Sequence, residues 1–178
     1  MIIVKLQDIK STHRNPLHSY TLIIKNKEKG ISKIKIEKVP KQELYPLSSA
    51  QKRMYYNSKM IGEENIVYNI PGGVLVDEIL DEQKVQKAFE TIIERHSVLR
   101  TRFVLQGNNV MQRVIDKVDF KIKTYNNTEN EIQKIINNFS KPFNLEKDLL
   151  LRVELHYIDN KKTLLLVDSH LQKEHHHR

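Results

Sequence analysis

Cysteine is missing from all 178 residues. That excludes a disulfide framework and any cysteine-ligated zinc site, and it suits a reducing, cytoplasmic setting. No apolar run is long enough to cross a bilayer. Met1-Ile2-Ile3-Val4-Lys5-Leu6 is too short, and lacks the basic stretch, to act as a secretory signal. There is no internal repeat. No segment interleaves aromatic with basic residues, as a platform for single-stranded nucleic acid would. The net charge of +8 therefore argues little for nucleic acid, because the lysines are scattered and accompany an excess of Ile and Asn. A chain of this length holds one domain with a real core and hardly two.

Residues 1–24 show little periodicity, with a turn at His13-Arg14-Asn15-Pro16 and a short strand over Tyr20 to Ile24. Residues 25–43 are dominated by lysine and read as a linker or loosely attached arm. The main body spans 44–169, followed by an atypical His-rich tail over 170–178. In the body, Ser48 and Gln51 have capping-box spacing, and the helix they start runs from Ser49 to about Met60, where Gly62 stops it. Glu63 to Ile70 is expected as loop and Pro71-Gly72-Gly73 as a breaker. Val74-Leu75-Val76 and Ile79-Leu80 are expected as a strand buried on both faces. Asp81 caps a second helix, on which Val85, Ala88, Phe89, Ile92 and Ile93 form one apolar stripe. Thr101–Leu105 and Val110–Ile115 flank the hairpin signal Gly107-Asn108-Asn109. A strand over Phe120–Tyr125 is expected next, then a helix from Thr128 to Asn138 with Ile132, Ile135, Ile136 and Phe139 on one side. Leu151–Tyr157 alternates, Asp159-Asn160 turns the chain, and Thr163–Val167 is an apolar strand. The pattern is α+β, with helices packed on one face of a mixed, largely antiparallel sheet that takes in Thr101–Leu105, Leu151–Tyr157 and Thr163–Val167.

Ser48-x-Ala50-Gln51-x-Arg53-Met54-Tyr55 and Arg95-His96-x-x-Leu99-Arg100-Thr101-x-Phe103 resemble the first two signature motifs of the condensation domains of nonribosomal peptide synthetases. Ser97 stands where an acidic residue is usual. Tyr68-Asn69-Ile70-Pro71, and Pro142-Phe143-Asn144-Leu145 followed by Leu149-Leu150-Leu151-Arg152-Val153, resemble further segments of that family in the same order. The resemblance implies a single chloramphenicol-acetyltransferase-like lobe and a family reaction of amide bond formation between carrier-bound groups. Ser48, Gln51, Arg53, Arg95, His96 and Arg100 are then structural motif residues. His96, in the last turn of a helix, suits the dipole there. A half-buried Arg100 would need a carboxylate partner, and the family's third motif supplies an acid nearby.

That third motif, His-His-x-x-x-Asp-Gly, is altered here to Asp168-Ser169-His170-Leu171-Gln172-Lys173-Glu174-His175. In one register His170 takes the first histidine place and Leu171 the catalytic one. In the other, Ser169 replaces the first histidine, His170 is catalytic, Glu174 replaces the acid and His175 the glycine. The first register fits the upstream strand better. Consecutive histidines at 175–177 have no scaffold to fix a metal geometry, so no metal site is assigned. The resemblance covers one lobe of two, so the expected partners are peptidyl carrier proteins and a C-terminal lobe, with self-association through uncovered apolar surface. Phosphopantetheine is expected on the carriers and no cofactor on this chain, since no Gly-rich Ser-bearing attachment motif lies in residues 1–42. Activity is not expected from the chain alone. A non-catalytic docking module is the alternative, and a basic nucleic-acid-binding protein a minor one.

Overall fold

The computed structural model describes residues 2–5, 40–62 and 64–171. The expected strand at 20–24, most of the lysine-rich arm, and Glu174 with the histidines after it lie outside the described residues. Among the described residues, eight strands form two sheets. The larger has the order β1-β3-β8-β7-β6, with β1 (Ile2–Lys5), β3 (Asn69–Val76), β6 (Lys123–Asn127), β7 (Leu151–Ile158) and β8 (Lys162–His170). The smaller has the order β2-β5-β4, with β2 (Tyr45–Pro46), β4 (Thr101–Gln106) and β5 (Asn109–Val114). The helices are α1 (Ser49–Ile61), α2 (Glu82–Arg95) and α3 (Ile132–Phe139). In the larger sheet β1 and β6 pair in parallel with their neighbours, and β8 pairs antiparallel with both β3 and β7, so the sheet is mixed as expected.

Local signals act where the sequence places them. Ser48 Oγ accepts from the Gln51 N–H at 3.2 Å and Gln51 Oε1 accepts from the Ser48 N–H at 3.0 Å, a complete capping box on α1. Gly62 ends that helix at φ 108, a conformation open to glycine. Asp81 Oδ1 accepts the Lys84 N–H at 3.0 Å and starts α2. Gly107 at φ 60 turns the β4–β5 hairpin, and Asp159 and Asn160, both at positive φ, turn β7 into β8.

Long-range structure departs from the expectation in five places. Pro71-Gly72-Gly73 does not break a strand but lies within β3, where Pro71 stands opposite Asp168 of β8 and Gly72 and Gly73 lie between β1 and β8. Ile79-Leu80 are not strand: the chain leaves the sheet after Val76 and is tied back by Thr163, whose Oγ1 accepts from the Leu80 N–H and donates to the Glu78 carbonyl. The strand expected at Phe120–Tyr125 forms instead at Lys123–Asn127. The backbone of Phe120 and Ile122 is already satisfied by the Gln86 side chain of α2, at 2.7 and 2.9 Å, so this apolar stretch is held by a helix. Thr101–Gln106 belongs to the smaller sheet, not to the sheet of β7 and β8.

The last departure is that the larger sheet is covered on both faces. Successive side chains of a strand point to opposite sides. On one side Leu151, Val153 and Leu155, with Leu165 and Val167, meet Val85, Phe89 and Ile93 of α2 and the buried Phe120 and Ile122. On the other, Leu75, Ile158, Leu164 and Leu166 meet Ile132, Ile135, Ile136 and Phe139 of α3. A third cluster joins Met54 and Tyr55 of α1 to Phe103 and Val110 of the smaller sheet. On α2 the apolar stripe is narrower than its spacing suggests: Ile93 is buried, Val85 and Phe89 are half-buried, and Ala88 and Ile92 are exposed.

The burial pattern ranks substitutions. Phe103→Ala, at a side chain 1% exposed, is expected to lose about 3–5 kcal/mol, the usual range for a buried phenylalanine. Phe89→Ala should lose about 2 kcal/mol, because part of its ring already meets water. Ile92→Ala should lose under about 1 kcal/mol. Chemical denaturation of the three variants checks the order; equal losses at Phe103 and Ile92 would contradict it.

Candidate functional site at the end of β8

The two-sided pairing of β8 brings Asp168 and His170 to the α3 face of the sheet, in line with Leu164 and Leu166. The register sets Arg152 opposite Asp168 on β7, and Asn69 opposite His170 on β3. Asp168 is completely buried. Its Oδ2 accepts from Asn69 Nδ2 at 2.9 Å, Ser140 Oγ at 2.9 Å and Arg152 Nη1 at 3.1 Å. Among the described residues its Oδ1 has no hydrogen-bond partner. Burial pushes the Asp168 carboxyl above the usual carboxylate range, against the pull of Ser140, Asn69 and Arg152.

Two residues on, the His170 imidazole is 8% exposed, with its Nδ1 buried and without a partner among the described residues. The Tyr68 ring lies 5.9 Å away and the Phe143 ring meets it edge-on at 6.4 Å. Burial pushes the imidazole down to about 4 from the ordinary 6.5, so it is neutral at pH 7. The backbone here is also tied, His170 N–H to the Leu150 carbonyl at 3.1 Å and Leu171 N–H to the Tyr68 carbonyl at 2.7 Å. Leu171 is 38% exposed.

The other sequence candidates that the structure describes sit elsewhere, and among the described residues no hydrogen bond or ion pair links them to His170. Ser48 and Gln51 cap α1, and Arg53 is exposed along it. Arg95 and His96 are exposed at the end of α2. Arg100, half-buried at the end of a short 3₁₀ turn, donates from Nη1 to the Ile115 carbonyl at 2.8 Å, and its Nε is buried without a partner among the described residues. Among the described residues no carboxylate pairs with Arg100. The guanidinium that meets a buried acid is that of Arg152, because strand register sets it opposite Asp168. Sequence reasoning used Asp168 only to mark a register, and did not assign roles to Arg152, Asn69, Ser140 or Phe143. An aspartate directly following the apolar run Leu164–Val167 was the one available signal. No group of three or more His, Cys, Asp or Glu residues suited to a metal occurs among the described residues. No described helix is long and apolar enough to cross a membrane.

A two-faced mixed sheet whose central strand ends in this buried histidine defines an α+β lobe of the condensation type. The condensation-domain family matches residues 41–171, and the chain belongs to that family. It is 38% identical over 135 residues to bacitracin synthase 3 of Bacillus licheniformis, covering 76% of this chain and 2% of that protein. It is 36% identical over 135 residues to gramicidin S synthase 2 of Aneurinibacillus migulanus, covering 76% and 3%. Among solved structures, the X-domain in complex with OxyB from teicoplanin biosynthesis superposes at TM-score 0.69 with 23% identity, over 80% of this chain and 31% of that one. The starter condensation domain of rhizomide synthetase superposes at 0.64 with 17% identity, over 72% and 33%. At these identities the structural likeness establishes the fold. The chain spans a few percent of the length of these synthetases and about a third of the solved chains.

The buried ring makes stability depend on pH. Unfolded, His170 binds a proton near pH 6.5; folded, it does so only near 4. The stability held by the neutral ring is fully present above 6.5 and is lost as pH falls toward 4. Asp168 works the other way: its contribution is present below the unfolded carboxylate value and is lost as pH rises through the raised folded value. Acidification from pH 6.5 to 5 should therefore remove about 2 kcal/mol at most through His170. The difference in unfolding free energy between the native chain and His170→Phe, followed over that range, isolates the ring. A difference that stays constant with pH would show that His170 is not buried neutral.

Proposed function

We propose that this chain is the N-terminal lobe of a nonribosomal peptide synthetase condensation domain, and that it serves amide bond formation together with a second lobe. In that reaction the amine of an aminoacyl group on one carrier protein's phosphopantetheine attacks the acyl or peptidyl thioester on another. An amide forms, the C–S bond breaks and the donor thiol departs. Phosphopantetheine arrives on the carriers, and the proposed setting is cytoplasmic. The observation that carries the reading is a buried, neutral His170 at the end of β8, followed directly by the exposed Leu171. It supports the register in which His170 takes the first, packed histidine place and Leu171 the catalytic one. A ring wedged against Tyr68 and Phe143 is poorly placed to meet a substrate amine, which a general base must reach. The orphaned Nε of Arg100 fits an acid supplied from beyond the described residues, in the manner of the family's third motif.

A second reading, a docking module without catalysis, is favoured by the apolar residues exposed at the end of α1 and the start of β3. Met60 is 84% exposed, Val67 69%, Ile61 58% and Ile70 52%. On either reading this surface seeks cover. The purified chain should self-associate, or bind an added second lobe, in light scattering across a concentration series. A monodisperse monomer with no binding of an apolar dye would contradict that.

The catalytic reading predicts no product from the chain alone. Leucine cannot accept or organise a proton, a role that supplies about 10²–10⁴-fold in rate. A single lobe cannot hold donor and acceptor together, an arrangement that lowers barriers by roughly 7–11 kcal/mol. Leu171→His alone should therefore stay inactive, an added second lobe with Leu171 retained should be weakly active at most, and both together should give most product. Amide formed by the unmodified chain from loaded carrier proteins, above the protein-free control, would overturn the assignment of Leu171.

A further inference from the structure

Arg152 makes two different kinds of contact. Its Nη1 donates to the buried Oδ2 of Asp168 at 3.1 Å and to the Lys141 carbonyl at 3.2 Å, and Nη2 reaches the Pro142 carbonyl at 3.4 Å. Its guanidinium carbon also lies 4.4 Å from the centre of the Phe143 ring. Phe143 in turn stands perpendicular to the His170 ring, at an interplanar angle of 89°. The turn that carries Phe143 is held at its base by the same cluster, since Ser140 Oγ donates to Asp168 and Asn69 Nδ2 donates to the Lys141 carbonyl at 2.8 Å. A planar guanidinium can hydrogen-bond at its edge and stack on its face at once, which an ammonium cannot. Two of the carbonyls it grips immediately precede Phe143, so the arginine sets both the backbone and the ring of that residue.

We propose that Asp168 and Arg152 are positioning residues for His170, acting through Phe143: the carboxylate fixes the guanidinium, the guanidinium fixes the phenyl ring, and the phenyl ring closes one side of the imidazole. The proposal rests on reading the end of β8 as the functional site. It gives the buried ion pair a role beyond stability, since loosening it would free the histidine ring without unpairing β8. The titratable groups nearest the ring are Asp168, two residues back on β8, Arg152 on β7, which reaches it through Phe143, and the Tyr68 phenol, whose ring lies 5.9 Å away; burial alone lowers the imidazole.

The test is the titration of the His170 ring, followed by NMR on the full chain with labelled histidine and assigned with a His170→Asn variant. Arg152→Lys keeps the charge but loses the flat contact, and Phe143→Leu keeps apolar bulk but loses the perpendicular ring. In both the His170 midpoint should rise by about one pH unit or more, roughly tenfold in proton affinity, as water reaches the imidazole. Asp168→Asn should produce a similar rise, and adding Arg152→Lys to it should add little, because the two act in one chain of contacts. Should Asp168→Asn fail to fold, the other two variants decide the matter. A midpoint that does not move in folded Arg152→Lys, whatever Phe143→Leu does, would overturn the relay and leave the ion pair purely structural. The titration needs no turnover, so absence of amide product bears on the proposed reaction, whereas an unmoved ring bears on this proposal alone.

Discussion

The larger sheet depends on β8 being hydrogen-bonded along both edges, to β3 over Asn69–Val76 and to β7 over Leu151–Ile158. Both faces of this strand are covered, so its register has no freedom. A slip of one residue would send Leu164 and Leu166 toward α2, and Leu165 and Val167 toward α3. It would also carry Asp168 away from Arg152 and leave both charges buried without each other. The apolar faces and the ion pair therefore specify one and the same register.

The cost of that arrangement falls on the carboxylate. A buried ion pair repays its desolvation only when geometry and added hydrogen bonds are good. Asp168 gathers three donors, from β3, from the end of α3 and from β7, but all on one oxygen. Its other oxygen is buried and unpaired among the described residues, consistent with a carboxyl that burial holds above its usual range. Arg100 shows the opposite balance, a half-buried guanidinium with one carbonyl and no carboxylate among the described residues. Arg152 meets a carboxylate because its strand pairs with the strand of Asp168, whereas Arg100, at the end of a 3₁₀ turn, meets the Ile115 carbonyl.

Burial also sets what the histidine can do. The imidazole packs against the rings of Tyr68 and Phe143, and the backbone into Leu171 is held by the Leu150 and Tyr68 carbonyls. That strand end lies at the limit of the residues matched by the condensation-domain family, 41–171. The exposed apolar residues of α1 and β3 lie outside the covered faces of the sheet, and the burial that stabilises β8 does not extend to them.

What the sequence by itself determined is the set of features written within a few residues. These are the capping box of Ser48 and Gln51, the Asp81 cap, the turns at Gly107 and Asp159-Asn160, the alternation of β7, and the apolar side of α3. Caps, turns and periods act over one or two turns of chain, so they can be read without knowing the neighbours. The family motifs over residues 45–103 were legible for the same reason. Tertiary structure decided the rest. Gln86 took over the backbone of Phe120 and Ile122 and moved β6 onward, β3 ran through Pro71 in register with β8, and Thr101–Gln106 joined a second sheet. Placing α3 opposite α2 turned a half-covered sheet into one covered on both faces. Asp168 met Arg152 and Asn69 only because β7 and β3 flank β8 in one register, and no spacing along the chain encodes which strands become neighbours.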